Sequence, residues 1–331
     1  MTILVLGDAN ADLSAALTRF PAEGDDSQIT ALGWGSGGSA ANVGAALALL
    51  GAPTRLLARV GGDPAAEIAL GVARAAGADL AAVQIDAALA TGLCFAAVSP
   101  SGERTFFSYR GANVSFEYGP AQANQLDGAR WLHISGYALL EGCQRTATLA
   151  LIDAANARDI PISLDVCLPQ LRAWRNETLA LLPRLSILFT NEPEMAVLTA
   201  QRVKHENATE LPDDVSRLAV ESLLQQGVGT VAVKLGPRGC LIASAGTRHH
   251  ALAFAVDAID TNGCGDAFVA GYLFAHLRGA ALEHCAALAN AIGALTATRL
   301  GAAEALPARA TLHTFLEEHQ RGTTAALMVE E

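Results

Sequence analysis

Seven consecutive residues, Asp260-Thr261-Asn262-Gly263-Cys264-Gly265-Asp266, carry the strongest chemical signal in the chain, and an apolar run from Ala267 to Phe274 follows them at once. Two glycines around a small residue, then a carboxylate, then a helical pattern describe a tight turn that opens a helix and leaves its first N–H groups free. Those donors and the helix dipole attract anions, phosphate above all. Asp266 sits oddly there, because a carboxylate in the first turn repels the anion that the turn attracts. The conflict resolves if Asp266 takes a proton from a substrate hydroxyl while the backbone holds a transferring phosphoryl group. An ordinary N-capped, glycine-rich turn, with Asp266 complementing the dipole, is the structural alternative.

Other residues of the right type cluster at strand ends. Gly35-Ser36-Gly37-Gly38-Ser39-Ala40-Ala41-Asn42 is a second glycine loop entering a helix. A dinucleotide loop should follow the first strand directly, and here about thirty residues intervene. Gly37 and Gly38 instead let a polyhydroxy ligand lie against the backbone, with Asn42 donating and accepting one turn into the helix, or they are simply a flexible hairpin end. Asn10 and Asp12 join Arg110 and Asn113 as a set that suits vicinal hydroxyls, although each alone reads as a solvated surface group. Asn191 and Glu194, in Thr190-Asn191-Glu192-Pro193-Glu194, can reach Mg²⁺-bound waters or phosphate, and they equally form a helix start with Asn191 as N-cap. Lys234-Leu235-Gly236-Pro237-Arg238-Gly239 is a strand running into a glycine turn, suited to passing a nucleotide or to a plain hairpin. Asp165 ends another strand and either faces the same crevice or caps a helix. His249-His250 reads as an exposed pair between strands.

These groups need a frame. Ile3 to Leu6 is the continuous apolar run of a buried parallel strand, ending in Gly7-Asp8. Further strands are expected at 55–60, 131–134, 162–165, 187–190, 231–234 and 241–243, with helices at 39–50, 65–76, 144–157, 179–182, 194–200, 214–226 and 282–299. A last helix is expected from just after Pro307 to about Gln320. Strand and helix in alternation mean an α/β fold, a mostly parallel sheet with helices on both faces. Two pairs of alternating segments interrupt it. Leu13 to Leu17 with Gln28 to Trp34, and Cys94 to Val98 with Thr105 to Tyr109 around Ser99-Pro100-Ser101-Gly102, describe a small β-sheet lid at about 11–36 and 92–112. The domain is expected to span 1–320, with 321–331 a loose tail.

Composition excludes several classes. The 331 residues carry 22 Lys and Arg against 33 Asp and Glu, a net charge of −11, and no basic block. Nucleic acid and anionic membrane surfaces are therefore poor partners. Six scattered cysteines show no zinc or disulfide spacing and read as reduced thiols in a cytoplasmic protein. No stretch is apolar for long enough to span a bilayer.

Together these motifs resemble the ribokinase, or PfkB-type, carbohydrate kinase family. Gly37-Gly38-Ser39-Ala40-Ala41-Asn42 is similar to its N-terminal glycine signature. Asp260 to Asp266 is similar to its Asp-Thr-x-Gly-Ala-Gly-Asp signature, with Cys264 where Ala is usual. The resemblance runs from about Ile3 to His319. It implies a ribokinase-like, Rossmann-like α/β domain with a lid, dependence on ATP and Mg²⁺, and transfer of the γ-phosphate to a hydroxymethyl group of a small sugar. Residue by residue it implies Asp266 as base, with Gly263, Cys264 and Gly265 as anion hole. Asn10, Asp12, Gly37, Gly38 and Asn42 would hold the sugar, with Arg110 or Asn113 closing from the lid. Asn191, Lys234, Gly236, Gly239, Thr261 and Asn290 would lie along the nucleotide, the last beside adenine. Glu194 would serve Mg²⁺, and Asp260 would lie by a monovalent cation, with a need for K⁺ left open. A nucleoside kinase is the alternative within the family, and a non-catalytic nucleotide- or sugar-binding protein the alternative outside it. A homodimer through apolar lid residues (Leu93, Phe95, Phe106) is a further expectation.

Overall fold

The computed structural model describes residues 2–200 and 214–328. β1 (Thr2–Leu6) alternates cleanly, sending Ile3 and Val5 into one apolar core and Leu4 and Leu6 into another. β2 (Asn10–Leu17) and β3 (Ile29–Gly37) then leave the body, and α1 (Ser39–Leu49) returns to it. β4 (Thr54–Leu57), β5 (Arg59–Gly61), α2 (Pro64–Ala75) and β6 (Gln84–Asp86) precede a second excursion, β7 (Gly92–Val98) and β8 (Arg104–Tyr109). After α3 (Pro120–Gln125) come β9 (Ala129–Ser135), α4 (Gly142–Asn156), β10 (Ile162–Asp165), α5 (Leu168–Leu181), β11 (Ile187–Asn191) and α6 (Glu192–Thr199). Beyond the undescribed 201–213 follow α7 (Asp214–Gln225), β12 (Thr230–Lys234), β13 (Cys240–Ser244) and β14 (Thr247–Ala251). The helices α8 (Cys264–His276), α9 (Leu282–Ala297), α10 (Arg309–Glu318) and α11 (Gly322–Ala326) end the described chain.

The central sheet has eight strands in the order β14-β13-β12-β11-β10-β9-β1-β4, parallel from β12 to β4 and antiparallel at β13 and β14. One core packs α1, α2, α8, α9 and α10 on one face, and the other packs α4, α5, α6 and α7 on the opposite face. This is the expected α/β sandwich. The expected lid is the separate sheet β3-β2-β7-β8. Among the described residues no helix is long and apolar enough to cross a membrane.

Several expectations change in detail. The segment 55–60 is two strands, because β5 leaves the main sheet to pair with β6. The helix expected at 179–182 is the last part of α5, which starts at Leu168 with Pro169 in its first turn and kinks at Trp174 (φ −136°, ψ 37°). His249 and His250 lie within β14, paired with Ile242 and Leu241, and not in a loop. The tail is not loose throughout: α11 buries Thr324 and Ala325, and His284 Nδ1 lies 3.0 Å from Thr324 Oγ1.

Register gives the lid two chemically different faces, because directly paired residues share a side. Asp12, Cys94 and Ser108 form one cross-strand row, and Val98 and Arg104 extend that side. The row Trp34, Leu13, Phe95 and Phe107 forms the other, with the Phe95 and Phe107 rings 5.9 Å apart. Phe106 pairs with Ala96 on the polar side, so it does not join Phe95 as expected.

α8 is buried from Ala267 to Ala275 and lies against α9. Their close approach depends on Gly271, where an added Cβ would come 2.7 Å from Ile292 Cγ2 and 3.1 Å from the Ala289 backbone. Gly271→Val is therefore expected to lower unfolding stability by about 2 kcal/mol or more, read as a drop in the urea midpoint without change of slope.

Candidate active site

A cavity of about 330 Å³ opens between the lid and the sheet. Its floor is the carboxyl end of the parallel strands, where open α/β sheets place ligands. Asp8 follows β1, Ser135 ends β9 with Tyr137 just beyond, Asp165 ends β10 with Cys167 beyond, Glu194 follows β11, and Lys234 ends β12. The lid contributes Asn10, Asp12, Cys94 and Ser108, and the start of α8 contributes Asp266.

Asp266 is aimed by α1. Ser39 Oγ donates to its Oδ1 at 2.7 Å and Asn42 Nδ2 donates to its Oδ2 at 2.8 Å. The entry to α1 is possible only because Gly38 has φ +87° and a Cβ there would lie 2.4 Å from the Asp8 carbonyl oxygen. α8 begins in the same way, with Gly263 at φ +72° against the Ala302 backbone. Of its first turn, Asp266 lines the cavity, and the Cys264 N–H reaches the Thr261 carbonyl at 3.4 Å. Burial pushes the Asp266 carboxyl up to about 6, against the two hydrogen bonds that favour its charged form. Cys264 stays a thiol, pushed up to about 11 by burial and by Asp260 and Asp266.

Charges in the cavity are partly paired. Lys234 Nζ donates to Asp165 Oδ1 at 2.6 Å and comes within 3.5 Å of the space a side chain on Gly265 would fill. Burial alone would lower Lys234, but Asp165 and Glu194 beside it carry its proton affinity above the ordinary lysine value. Arg110 Nη2 donates to Asp8 at 2.7 Å, to Gln144 at 2.6 Å and to the Tyr137 carbonyl at 3.0 Å. Asp12, Glu194 and Asp266 form no ion pair among the described residues. Burial, with Glu304 and Asp266 nearby, pushes Asp12 up to about 7, and its Oδ1 has no hydrogen-bond partner. Burial also pushes Glu194 up to about 7, with Lys234 opposing and Asp165 reinforcing the shift.

Some residues expected at the ligand have other partners. Asn42 faces Asp266 rather than the open cavity. Asn113 is a buried strut: its Oδ1 accepts from the Ala9 N–H at 3.0 Å, and its Nδ2 donates to Asn10 Oδ1 at 2.8 Å and the Arg110 carbonyl at 2.9 Å. Asn290 Nδ2 donates to the carbonyls of Ala251 and Leu252, tying α9 to the end of β14. Asp260 is hydrogen-bonded at both oxygens: Oδ1 accepts from Arg104 and the Asn262 N–H, and Oδ2 accepts from the Gly301 N–H. Asn191 and Glu194 form a reciprocal capping box on α6. Gly37 leaves room for the Asp12 carboxylate, which a Cβ there would overlap, and Gly239 for the 251–253 backbone. Gly236 and Thr261 are exposed, and neither is among the residues lining the cavity.

Asp8, Ser39 and Gln144 were not singled out from the sequence. Asp8 and Ser39 carried a signal, one ending the first strand and the other following the glycine pair, whereas Gln144 carried none.

The pattern of the pfkB family carbohydrate kinases matches residues 2–309. The ATP-dependent ribose-1-phosphate kinase of Halopiger xanaduensis is 30% identical over 317 residues, covering 96% of this chain and 98% of its own. The aminoimidazole riboside kinase of Salmonella typhimurium is 28% identical, covering 96% and 95%. A probable fructokinase of Arabidopsis thaliana is 28% identical, covering 85% and 87%. Among solved structures, Arabidopsis thaliana ribokinase complexed with ribose and ATP superposes with a TM-score of 0.83 at 24% identity, covering 96% and 98%. An E. coli structure described as a putative ribokinase II in complex with ATP and Mg²⁺ also gives 0.83, at 22% identity, covering 96% and 99%. These last two establish the fold.

The raised carboxyls set a pH dependence of stability. Unfolded, Asp12 loses its proton near its ordinary 3.8; folded, it keeps it up to about 7. The folded state holds more protons in that window, so stability falls as pH rises through it and levels off above. Glu194 and Asp266 act in the same direction. Asp12→Asn is expected to raise stability at pH 8 by on the order of 1–2 kcal/mol and to change little at pH 4. Urea midpoints at the two pH values measure it, and equal shifts at both would remove Asp12 as the source.

Proposed function

The chain belongs to the pfkB family of carbohydrate kinases, and from that premise we propose that it moves the γ-phosphoryl group of ATP to a hydroxymethyl group of a small neutral sugar. The observation that carries this reading is Asp266, a half-buried carboxylate aimed by Ser39 and Asn42 while standing in the first turn of α8. In the proposed reaction the acceptor oxygen forms a bond to the γ-phosphorus, the bond from that phosphorus to the β–γ bridging oxygen breaks, and ADP leaves. The hydroxyl proton passes to Asp266.

Asp12, with an unpartnered oxygen, and Asn10 are assigned to the sugar hydroxyls. Arg110 orients that pocket through Asp8. The turn at 263–265 and Lys234 are assigned to the transferring phosphoryl group, whose negative charge their donors and ammonium meet. Gly236, Gly239 and Thr261 border the side assigned to the nucleotide. Glu194 fits a water-mediated role toward Mg²⁺, because one of its oxygens caps α6 and its raised proton affinity marks a site short of positive charge. Mg²⁺ supplies charge neutralisation at the phosphates.

Arg110 bonds Asp8 and Gln144 through Nε and Nη2 and leaves Nη1 without a hydrogen-bond partner among the described residues, so the preference for an uncharged acceptor over a sugar phosphate or sugar acid rests on the three unpaired carboxylates. A nucleoside acceptor is the second reading, favoured by the likeness to aminoimidazole riboside kinase over nearly the whole chain. ADP release with Mg·ATP across ribose, fructose, adenosine, ribose 1-phosphate and 2-keto-3-deoxygluconate separates these. A strong response to ribose or fructose is expected; one confined to the anionic acceptors would sink the neutral-substrate reading. Asp266→Asn is expected to lower kcat by about 10² or more. The wild-type kcat should fall as pH drops through about 6, where Asp266 takes up its proton.

The apolar lid face leaves Leu32 and Trp34 exposed along with Phe107, and we assign it to a second copy of the chain. Sedimentation should give a dimer for the wild type and a monomer for Trp34→Glu. A monomeric wild type at micromolar concentration would end this assignment.

A further inference from the structure

Arg104 stands on β8, on the same side of the lid sheet as Ser108, Cys94 and Asp12. It reaches away from the lid to the body. Nη1 lies 2.7 Å from Asp260 Oδ1, with the two side chains only 20% and 6% exposed. Asp260 is the first residue of the turn that ends at Asp266. The same Oδ1 accepts the Asn262 N–H at 2.8 Å, and Oδ2 accepts the Gly301 N–H at 3.0 Å. One buried carboxylate therefore gathers a lid guanidinium, the opening of the anion-binding turn and the loop after α9.

The opposite edge of the lid is tied to the same loop. The Ser36 N–H of β3 donates to Glu304 Oε1 at 2.6 Å. The end of α9, from which that loop leaves, is itself joined to the turn, since the Ala297 carbonyl accepts from the Ile259 N–H at 2.7 Å and from the Asp260 N–H at 3.1 Å. Moving the lid away from the body would strip Asp260 of the cation bonded to it while leaving its charge enclosed. A lone buried carboxylate is unfavourable, so the turn would have to rearrange as the lid left.

We propose that Arg104 is a positioning residue for the phosphoryl transfer: through Asp260 it makes the docked position of the lid and the shape of the turn at 261–265 one equilibrium instead of two. A sugar seated under Asp12 then favours the turn that receives phosphate, and phosphate at the turn favours the docked lid by the same factor. The coupling would delay the assembly of the phosphoryl site until an acceptor excludes water. This role rests on the proposed kinase reading.

Hydrogen exchange on the wild type, Arg104→Lys and Arg104→Met, first without ligand and then with ADP, tests it. Without ligand, amides at 259–264 should exchange on the order of tenfold faster in Arg104→Met, with Arg104→Lys in between. ADP should slow exchange both at the turn and in the lid segment 98–104 of the wild type, but only at the turn in Arg104→Met. Unchanged exchange at 259–264 in Arg104→Met, or equal protection of the lid by ADP in both proteins, would overturn the proposal. So would weaker ADP binding in Arg104→Met with the turn unchanged, which would place Arg104 on the nucleotide itself. If calorimetry finds no ADP binding to the wild type, the nucleotide reading fails, and the ligand-free arm still decides the role of Arg104.

Discussion

A carboxylate enclosed at the positive end of a helix is the constraint from which the site follows. Asp266 stands among four other carboxylates and needs donors of its own, and α8 alone offers it only a dipole. The donors come from α1, as Ser39 Oγ and Asn42 Nδ2. α1 and α8 pack side by side with these bonds between them, and α8 packs on α9 through Gly271. Both helices open at a glycine whose backbone no other residue adopts easily, Gly38 and Gly263. The two glycine motifs, far apart in sequence, are thus two halves of one carboxylate-holding device.

Charge distribution in the cavity follows a second rule. Five carboxylates, Asp8, Asp12, Asp165, Glu194 and Asp266, line it with Arg110 and Lys234. The cations bond Asp8 and Asp165, and the three carboxylates left over are the ones whose proton affinity is raised toward neutrality. Such a cavity has spare acceptors, and its unmatched donors are Arg110 Nη1 and the part of Lys234 that borders the α8 turn.

The lid turns sheet geometry into division of labour. A strand period of two puts Asp12, Cys94 and Ser108 toward the cavity and Leu13, Phe95 and Phe107 away from it. Its outer strands are anchored to the body by Arg104 and by Ser36, so the sheet is held at both edges over the pocket it covers.

The sequence by itself determined the α/β sandwich, the lid, both glycine motifs and Asp266, because strand ends, glycine turns and apolar period are local properties. It located Glu194, Lys234 and Asp12 by the same logic. What it did not determine was pairing. Asn113, Asn290 and Asp260 are polar residues beside the right motifs, yet the fold gives their oxygens and amides backbone or Arg104 partners. Asp8 and Gln144 join Arg110 across more than a hundred and more than thirty positions, respectively. The side of the lid that Phe106 takes depended on register, where one residue of shift exchanges the faces. Which polar groups remain open to a ligand is settled by which already have a neighbour, and that is a property of tertiary contact alone.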